Sequence, residues 1–282
     1  WLVDSNRRDF TVNAMSCDLN GNLYDYHNGL KDLKEGRIKF IGDSKKRIKE
    51  DFLRILRYFR IYAYYGKKNI EKHQINIFKK LSPNLKKLSS ERIYSEFKQI
   101  LLSKNSYETL KLMNNLKVLK YIIFNSNHLE KIKFLNKLNK INNLIDFSTK
   151  LVILLNQKNI SKVSKNLKLS KIEDNKIKKI VYLSKDFNFN DFKKNIIKYI
   201  YYHGQEICVS LVIYNFAEFP INSKVKTYSR IISLIKKSKV PKLPILGRDI
   251  INLGIKPGPK VGKILRLIEN WWITNNFKPS RK

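Results

Sequence analysis

The chain has 282 residues, 43% of them apolar and 12% aromatic, which is enough to fill hydrophobic cores and excludes a disordered basic tail. Lys and Arg number 58 against 23 Asp and Glu, a formal charge of +35, so the natural partner is a polyanion such as nucleic acid or an anionic surface. Lys, Asn and Ile saturate the chain as an AT-rich coding sequence would produce, so part of the charge is compositional.

Taken in chain order, residues 8 to 26 alternate as strands do, with Phe10, Val12 and Ala14 on one face and Asp9, Thr11 and Asn13 on the other. NGN at 20–22 marks a hairpin turn between MSCDL and LYDY, HNGLKDLKEG reads as a loop, and RIKFIG as one more short strand. From Asp43 the period becomes helical. DSKKRIKEDFLRILRYFRIYAYYG reads as one amphipathic helix, with Asp43 or Ser44 as N-cap and Gly66 past its end. SPNLKKLSSERIYSEFKQILLS is a second, with Ser89 or Ser90 leading into Glu91.

Lys-rich amphipathic helices follow at about 106–122, 127–141, 145–156, 172–184, 190–202, 204–217 and 224–238, with no fixed repeat. Breakers cluster in VPKLPILGRD at 240–249, a boundary into a last unit where Gly254, Pro257, Gly258, Pro259 and Gly262 separate two short helices. Two readings of that turn stand side by side. Its N–H groups with Lys260 and Lys263 could hold a phosphate, or its glycines could permit a tightly packed helical hairpin.

Cys17 and Cys208 are too few for a disulfide framework or a thiolate metal site, and fit a reducing, cytoplasmic setting. No apolar run approaches the ~20 residues that cross a bilayer, so no membrane association is expected.

Arginine usage locates the chemistry. The 58 cations divide into 12 Arg and 46 Lys, yet Arg7, Arg8, Arg37, Arg47, Arg54, Arg57 and Arg60 all fall within the first 60 residues. In so lysine-rich a chain, arginine marks positions that need a planar, bidentate, always charged donor. Arg37 and Arg47 read equally well as ordinary surface residues. In EDFLRILRYFR, Asp51, Arg54, Arg57 and Arg60 recur every three residues; on one helix Glu50 would line up with Arg57, and Asp51 would neighbour Arg54. A carboxylate only accepts and a guanidinium only donates. Side by side they match the amino donor and ring-nitrogen acceptor shared by cytosine and adenine, and mismatch uracil and guanine. An unpaired buried group costs about 1–3 kcal/mol, enough to discriminate.

RRDFTVNA, YDYHNGLKDLKEGRIKFIG, RIKEDFLRILRYFR and ERIYSEFK, in this order and at these spacings, resemble the successive motifs of class II tRNA nucleotidyltransferases, the CCA-adding enzymes, and of their bacterial poly(A) polymerase relatives. The likeness is dense over residues 1 to about 100, and GRDIINLGIKPGPKVGKILRLIENWWI is similar to the tail of bacterial members. It implies an α+β fold, the remnant of a nucleotidyltransferase palm sheet followed by a mostly α-helical neck, body and tail. The expected divisions are 1–42 for the end of the head, 43–105 for the nucleotide-selecting neck, 106–239 for an RNA-binding body and 240–282 for the tail.

The resemblance also implies residue roles. Arg7, Arg8, Asp9 and Asn13 match the motif for the ribose and triphosphate of an incoming nucleotide. Asp51 and Arg54 match the protein template that selects CTP and then ATP, while Arg57 and Arg60 match arginines facing the nucleotide. Asp25, Gly29 and Asp32 fall in a flexible hinge element, where Asn28 replaces the commoner glycine. Glu91 and Arg92, with Glu50, support the template helix. The implied activity is template-independent transfer of CMP, CMP and AMP to the 3′ end of tRNA. The alternatives are a poly(A) polymerase, a CC- or A-adding relative, and a non-catalytic RNA-binding remnant.

In the family a Gly-Gly-x-x-Arg-Asp loop and a DxD pair that binds catalytic Mg2+ precede RRDFTVNA, and WLVDSN contains neither. Asp4 and Asp9 are too far apart in sequence to form such a pair. No catalytic or metal-binding residue is therefore assigned in this chain. It reads as an N-terminally truncated fragment, expected to bind tRNA without adding nucleotides, and the sequence leaves its oligomeric state unassigned.

Overall fold

The computed structural model describes residues 1–123, 128–142, 145–155, 157–219 and 225–280. The expected helix ends at 127, 156 and 224 lie outside these residues. The chain forms two compact units, one of Trp1–Tyr182 with Phe216–Ser223, the other of Leu183–Asn215 with Lys224–Lys282. The α+β expectation holds, with helices far outweighing a two-stranded antiparallel sheet.

The first unit opens with α1 (Leu2–Arg7), a one-turn 3-10 segment at Thr11–Asn13, and the hairpin β1 (Ser16–Cys17) and β2 (Leu23–Tyr24), Ser16 opposite Tyr24. The hairpin stands where NGN placed it. Asp18 draws the turn together by accepting the N–H groups of Asn20 and Asn22 at 2.9 and 2.8 Å. The longer strand expected over residues 8–26 does not form. Phe10 makes only an isolated bridge to Phe40, which is all that remains of the strand expected in RIKFIG. The alternation failed as a strand signal because its polar side is not solvated: Thr11 is buried and its hydroxyl donates to Asp32 Oδ2 at 2.7 Å.

HNGLKDLKEG is not a loop but carries α2 (Gly29–Glu35). Asp25 starts it by accepting the N–H groups of Gly29 and Leu30 at 2.7 and 2.9 Å, and Gly36 ends it in the left-handed conformation. Gly29 packs so closely that a Cβ there would lie 2.1 Å from the Thr11 carbonyl oxygen.

The single helix expected from Asp43 to Tyr65 is two, α3 (Ser44–Glu50) and α4 (Arg54–Tyr65). Asp51 is extended at φ −152°, ψ 108°, its carboxylate accepts the Leu53 N–H at 3.1 Å, and its carbonyl accepts the Arg54 N–H at 3.1 Å. These local bonds compete with the helical ladder and restart it. Glu50 and Arg57 therefore do not share a helix.

α5 (Lys72–Leu81) follows, then SPNLKK as a 3-10 turn rather than the start of the next helix, α6 (Ser90–Leu102), and α7 (Ser106–Asn115). α8 (Leu129–Asn142), α9 (Phe147–Leu154), α10 (Gln157–Asn166) and α11 (Lys171–Ser184) continue the chain. α5 and α10 were not among the expected helices. α4 packs on α6 and α7, and buries Ile55, Leu56, Tyr58 and Phe59 in an aromatic core with Phe10, Phe40 and Phe78. Each such side chain contributes about 1.5–3 kcal/mol on burial. That core fixes the floor beneath the arginine face of α4.

The second unit contains α12 (Phe189–Lys194), α13 (Ile196–His203), α14 (Gln205–Glu218) as far as Asn215, α15 (Val225–Lys237), α16 (Gly247–Asn252) and α17 (Pro259–Thr274). The helix expected over 190–202 is broken at Asn195, whose φ −120°, ψ 27° is not helical. Tyr201, Trp272 and Phe277 form one aromatic cluster, and Gln205 Nε2 donates to the Ile235 and Ser238 carbonyls at the end of α15. In the turn between α16 and α17, Gly254 and Gly258 have φ of +90° and +152°, with no atom within 4 Å of an added Cβ. Backbone conformation, not tight packing, is what requires glycine there.

Candidate nucleotide site

Where α1 ends, Arg8 leaves the helix in extended conformation, φ −69°, ψ 161°. The next residue, Asp9, meets Arg54 and Arg57 in the first turn of α4, and Phe10 then bridges to Phe40. This brings Asp4, Arg7, Arg8, Asp9, Asn13 and Arg57 around one cavity of about 340 Å³. Five of the eight residues expected to bind a nucleotide meet there.

Asp9 organises the wall. Its exposure is only 8%, and its Oδ1 accepts from Arg54 Nε at 2.6 Å. Oδ2 lies 2.5 Å from Arg57 Nε, an ion pair in which the N–H is not aimed at the oxygen. Arg54 also donates from Nη1 to Glu50 Oε2 at 2.5 Å and to the Arg47 carbonyl at 2.6 Å. Burial of Arg54 works against its charge, but the bonds to Glu50 and Asp9 outweigh it and hold the guanidinium above its ordinary pKa. The bond from Arg54 holds the Glu50 carboxyl below its usual range.

Arg8 turns to Asp4, with Nη2 at 2.8 Å. The Arg7 guanidinium makes no hydrogen bond or ion pair among the described residues and lines the cavity, while its main-chain carbonyl accepts from Arg47. Asn13 Oδ1 accepts the Phe10 N–H at 3.1 Å, which fixes its orientation.

The structure does not bring Asp51, Arg54 and Arg60 to the cavity wall. Asp51 Oδ2 accepts from Arg92 Nη2 at 2.7 Å, and Arg60 turns to α6, where its Nε lies 2.9 Å from Glu96 Oε2. Asp51 and Arg54 are therefore each engaged elsewhere, not paired side by side. Of the expected supports, Arg92 reaches Asp51, while Glu91 pairs with Lys168 at 2.8 Å. In the segment expected to act as a hinge, burial raises the Asp25 carboxyl, but the N–H groups of Leu30 and Gly29 outweigh it and hold it below its usual range. Asp32 is fixed by Thr11.

Sequence reasoning did not assign Asp4, Arg47 or Glu96 to the site. Glu96 is 7% exposed; burial pushes its carboxyl up, against the pull of the Arg60 and Arg57 charges. An acid in the second turn of α6, on the face shared with the apolar Ile93, Phe97 and Ile100, was the available signal. Arg47 was visible in the arginine bias, but only the fold separates it from a surface residue.

The carboxylates at the cavity do not suit a divalent cation. Asp4 is taken by Arg8 and Asp9 by two arginines. Among the described residues no three His, Cys, Asp or Glu side chains cluster to hold a metal ion. Among them, too, no helix is long and apolar enough to cross a membrane.

Three family models match the chain: the poly A polymerase head domain over residues 1–39, the probable RNA- and SrmB-binding site of polymerase A over 69–126, and the putative tRNA nucleotidyltransferase domain 2 over 139–280. Human mitochondrial CCA tRNA nucleotidyltransferase 1 is 30% identical over 300 residues, covering 99% of this chain and 64% of its own length. The CCA-adding enzyme of Staphylococcus epidermidis is 30% identical over 285 residues, covering 97% and 69%. The chain thus spans slightly under two thirds of the mitochondrial relative. Among solved structures, the Bacillus stearothermophilus CCA-adding enzyme in complex with CTP matches with a TM-score of 0.73 at 19% identity, over 97% of this chain and 70% of that one. At that identity the likeness is one of fold.

Proposed function

The chain belongs to the class II CCA-adding tRNA nucleotidyltransferase family, and from that premise we propose that it selects CTP and then ATP for addition of CMP, CMP and AMP to the 3′ end of tRNA, with release of pyrophosphate. The observation that carries this reading is the cavity where Arg7, Arg8, Arg57, Asp9 and Asn13 converge beside Arg54. Arg7 and Arg57 suit phosphate oxygens as charge-assisted donors, and Asp9 and Asn13 suit ribose hydroxyls. Reading a base requires Arg54 to exchange Asp9 for the edge of cytosine or adenine, while Asp51, directed by Arg92, accepts the base amino group with a remaining lone pair. Each side chain is thus held in place before the base arrives.

In this reading residues 1–42 close the head, 43–105 form the neck, 106–239 the RNA-binding body and 240–282 the tail. The basic body holds tRNA through its phosphates. Cys17 and Cys208 are not joined in a disulfide, which suits a reducing compartment, cytoplasmic in our reading. Nucleotidyltransferases generally use divalent metal ions, which neutralise the triphosphate and activate the RNA 3′-hydroxyl. Since the carboxylates at this cavity are committed to arginines, no step is routed through a metal here, and Mg2+ ligands are assigned to none of these residues.

The match to a poly A polymerase head favours a second reading, addition of AMP alone. Titration of CTP, ATP, GTP and UTP separates the two. Comparable binding of CTP and ATP, with GTP and UTP much weaker, supports CCA addition; ATP alone supports polyadenylation; no discrimination removes both.

A further inference from the structure

Arg47 lies on α3, yet its guanidinium reaches back across the chain to the Arg7–Arg8 pair. Nη2 donates to both main-chain carbonyls, at 3.0 Å to Arg7 and 2.6 Å to Arg8, while Nη1 donates to Glu50 at 2.9 Å. The Arg47 carbonyl in turn accepts from Arg54 Nη1 at 2.6 Å. α1 ends at Arg7, and carbonyls in a last helical turn lack intrahelical donors, so the end of α1 is closed by a side chain from a distant helix. Arg47 is only 17% exposed, and its contacts run in different directions from one planar fork, which an ammonium on a flexible stem cannot reproduce.

We propose that Arg47 is a positioning residue that fixes the origin of the Arg7 and Arg8 side chains relative to Arg54, so that the phosphate-binding and base-reading ends of the site keep one spacing. The proposal rests on the nucleotide-binding reading above. Its physical consequence is specific. A ligand that spans both ends gains from their fixed separation, whereas a ligand that occupies only one end does not. Loss of Arg47 should therefore weaken a nucleoside triphosphate more than the bare nucleoside.

The experiment titrates CTP by calorimetry and cytidine by NMR shift into the full chain and into Arg47→Met and Arg47→Lys, with far-UV circular dichroism as the check on folding. Arg47→Met should weaken CTP by about tenfold or more and cytidine by less than about threefold, and Arg47→Lys should recover part of the CTP loss. Equal loss for both ligands, or unchanged CTP binding in a folded variant, overturns the assignment. If Arg47→Met is unfolded, the ratio of the two losses in Arg47→Lys decides by the same criterion. A wild-type chain that binds neither ligand removes the nucleotide-binding reading and the role of Arg47 with it. Wild-type binding with indifferent variants removes only Arg47.

Discussion

Arg54 donates from Nε to Oδ1 of Asp9 at 2.6 Å, across 45 residues of sequence, and both side chains are nearly buried. The pair joins the segment after α1 to the first turn of α4. Removing one partner of such a pair leaves the other charge poorly solvated. Asp9→Ala should destabilise the chain by about 2–4 kcal/mol in urea unfolding, and a double-mutant cycle with Arg54→Ala should return a coupling of about 1–3 kcal/mol. Additive effects would show that the contact carries no weight in solution.

Arg92 holds the Asp51 carboxylate at 2.7 Å. Without it, Asp51 is free to swing into solvent, and the acceptor half of the proposed base-reading pair loses its direction. Arg92→Ala should reduce the preference for CTP over UTP by about tenfold while leaving thermal stability nearly unchanged, because the pair is half exposed. Competition binding of the two nucleotides reads the ratio directly.

Gly29 sits against the Thr11 carbonyl, where an added methyl would meet backbone at 2.1 Å. Backbone cannot give way as the end of a side chain can. Gly29→Ala should lower stability by about 1–3 kcal/mol, read as a drop in melting temperature. An unaltered melting curve would show that α2 can move away from the Thr11 turn.

Lys150 on α9 is fully buried, and its ammonium donates to the Leu101 carbonyl in the last turn of α6 at 2.9 Å. Desolvation pulls its pKa down to about 8 from the usual 10.5. Between those values the unfolded chain binds more protons than the folded one, so this lysine makes stability rise with pH in that window. Relative to Lys150→Met, wild-type stability should increase by about 2 kcal/mol from pH 7.5 to 10. A flat difference across the window would mean that the amine reaches water.

With a formal charge of +35, binding to tRNA should rest on phosphate contacts. Affinity for tRNA should fall by about a hundredfold or more between 50 and 200 mM salt, measured by filter binding. A complex insensitive to salt would refute the basic body as the tRNA-binding surface.

The sequence determined by itself what local chemistry can encode. The NGN hairpin, the Asp43 cap of α3, the start of α6 after Ser89, the amphipathic faces and the arginine-rich face of α4 were all legible, because a turn residue or a 3.6-residue period acts over a few neighbours. The motif order was likewise enough to indicate the family. Tertiary structure decided the rest. It broke the Asp43–Tyr65 helix at Asp51, made a helix of HNGLKDLKEG, and reduced the strand around Phe10 to one bridge, since buried partners such as Asp32 overrode the alternation. It also chose the partners of the charged groups: Arg54 with Asp9, Asp51 with Arg92, Arg60 with Glu96, and Arg47 with two distant carbonyls. Those choices join residues about 40 apart in sequence, and no local period carries them, because only packing α4 against α6 and against the segment after α1 sets which ends of long side chains can meet.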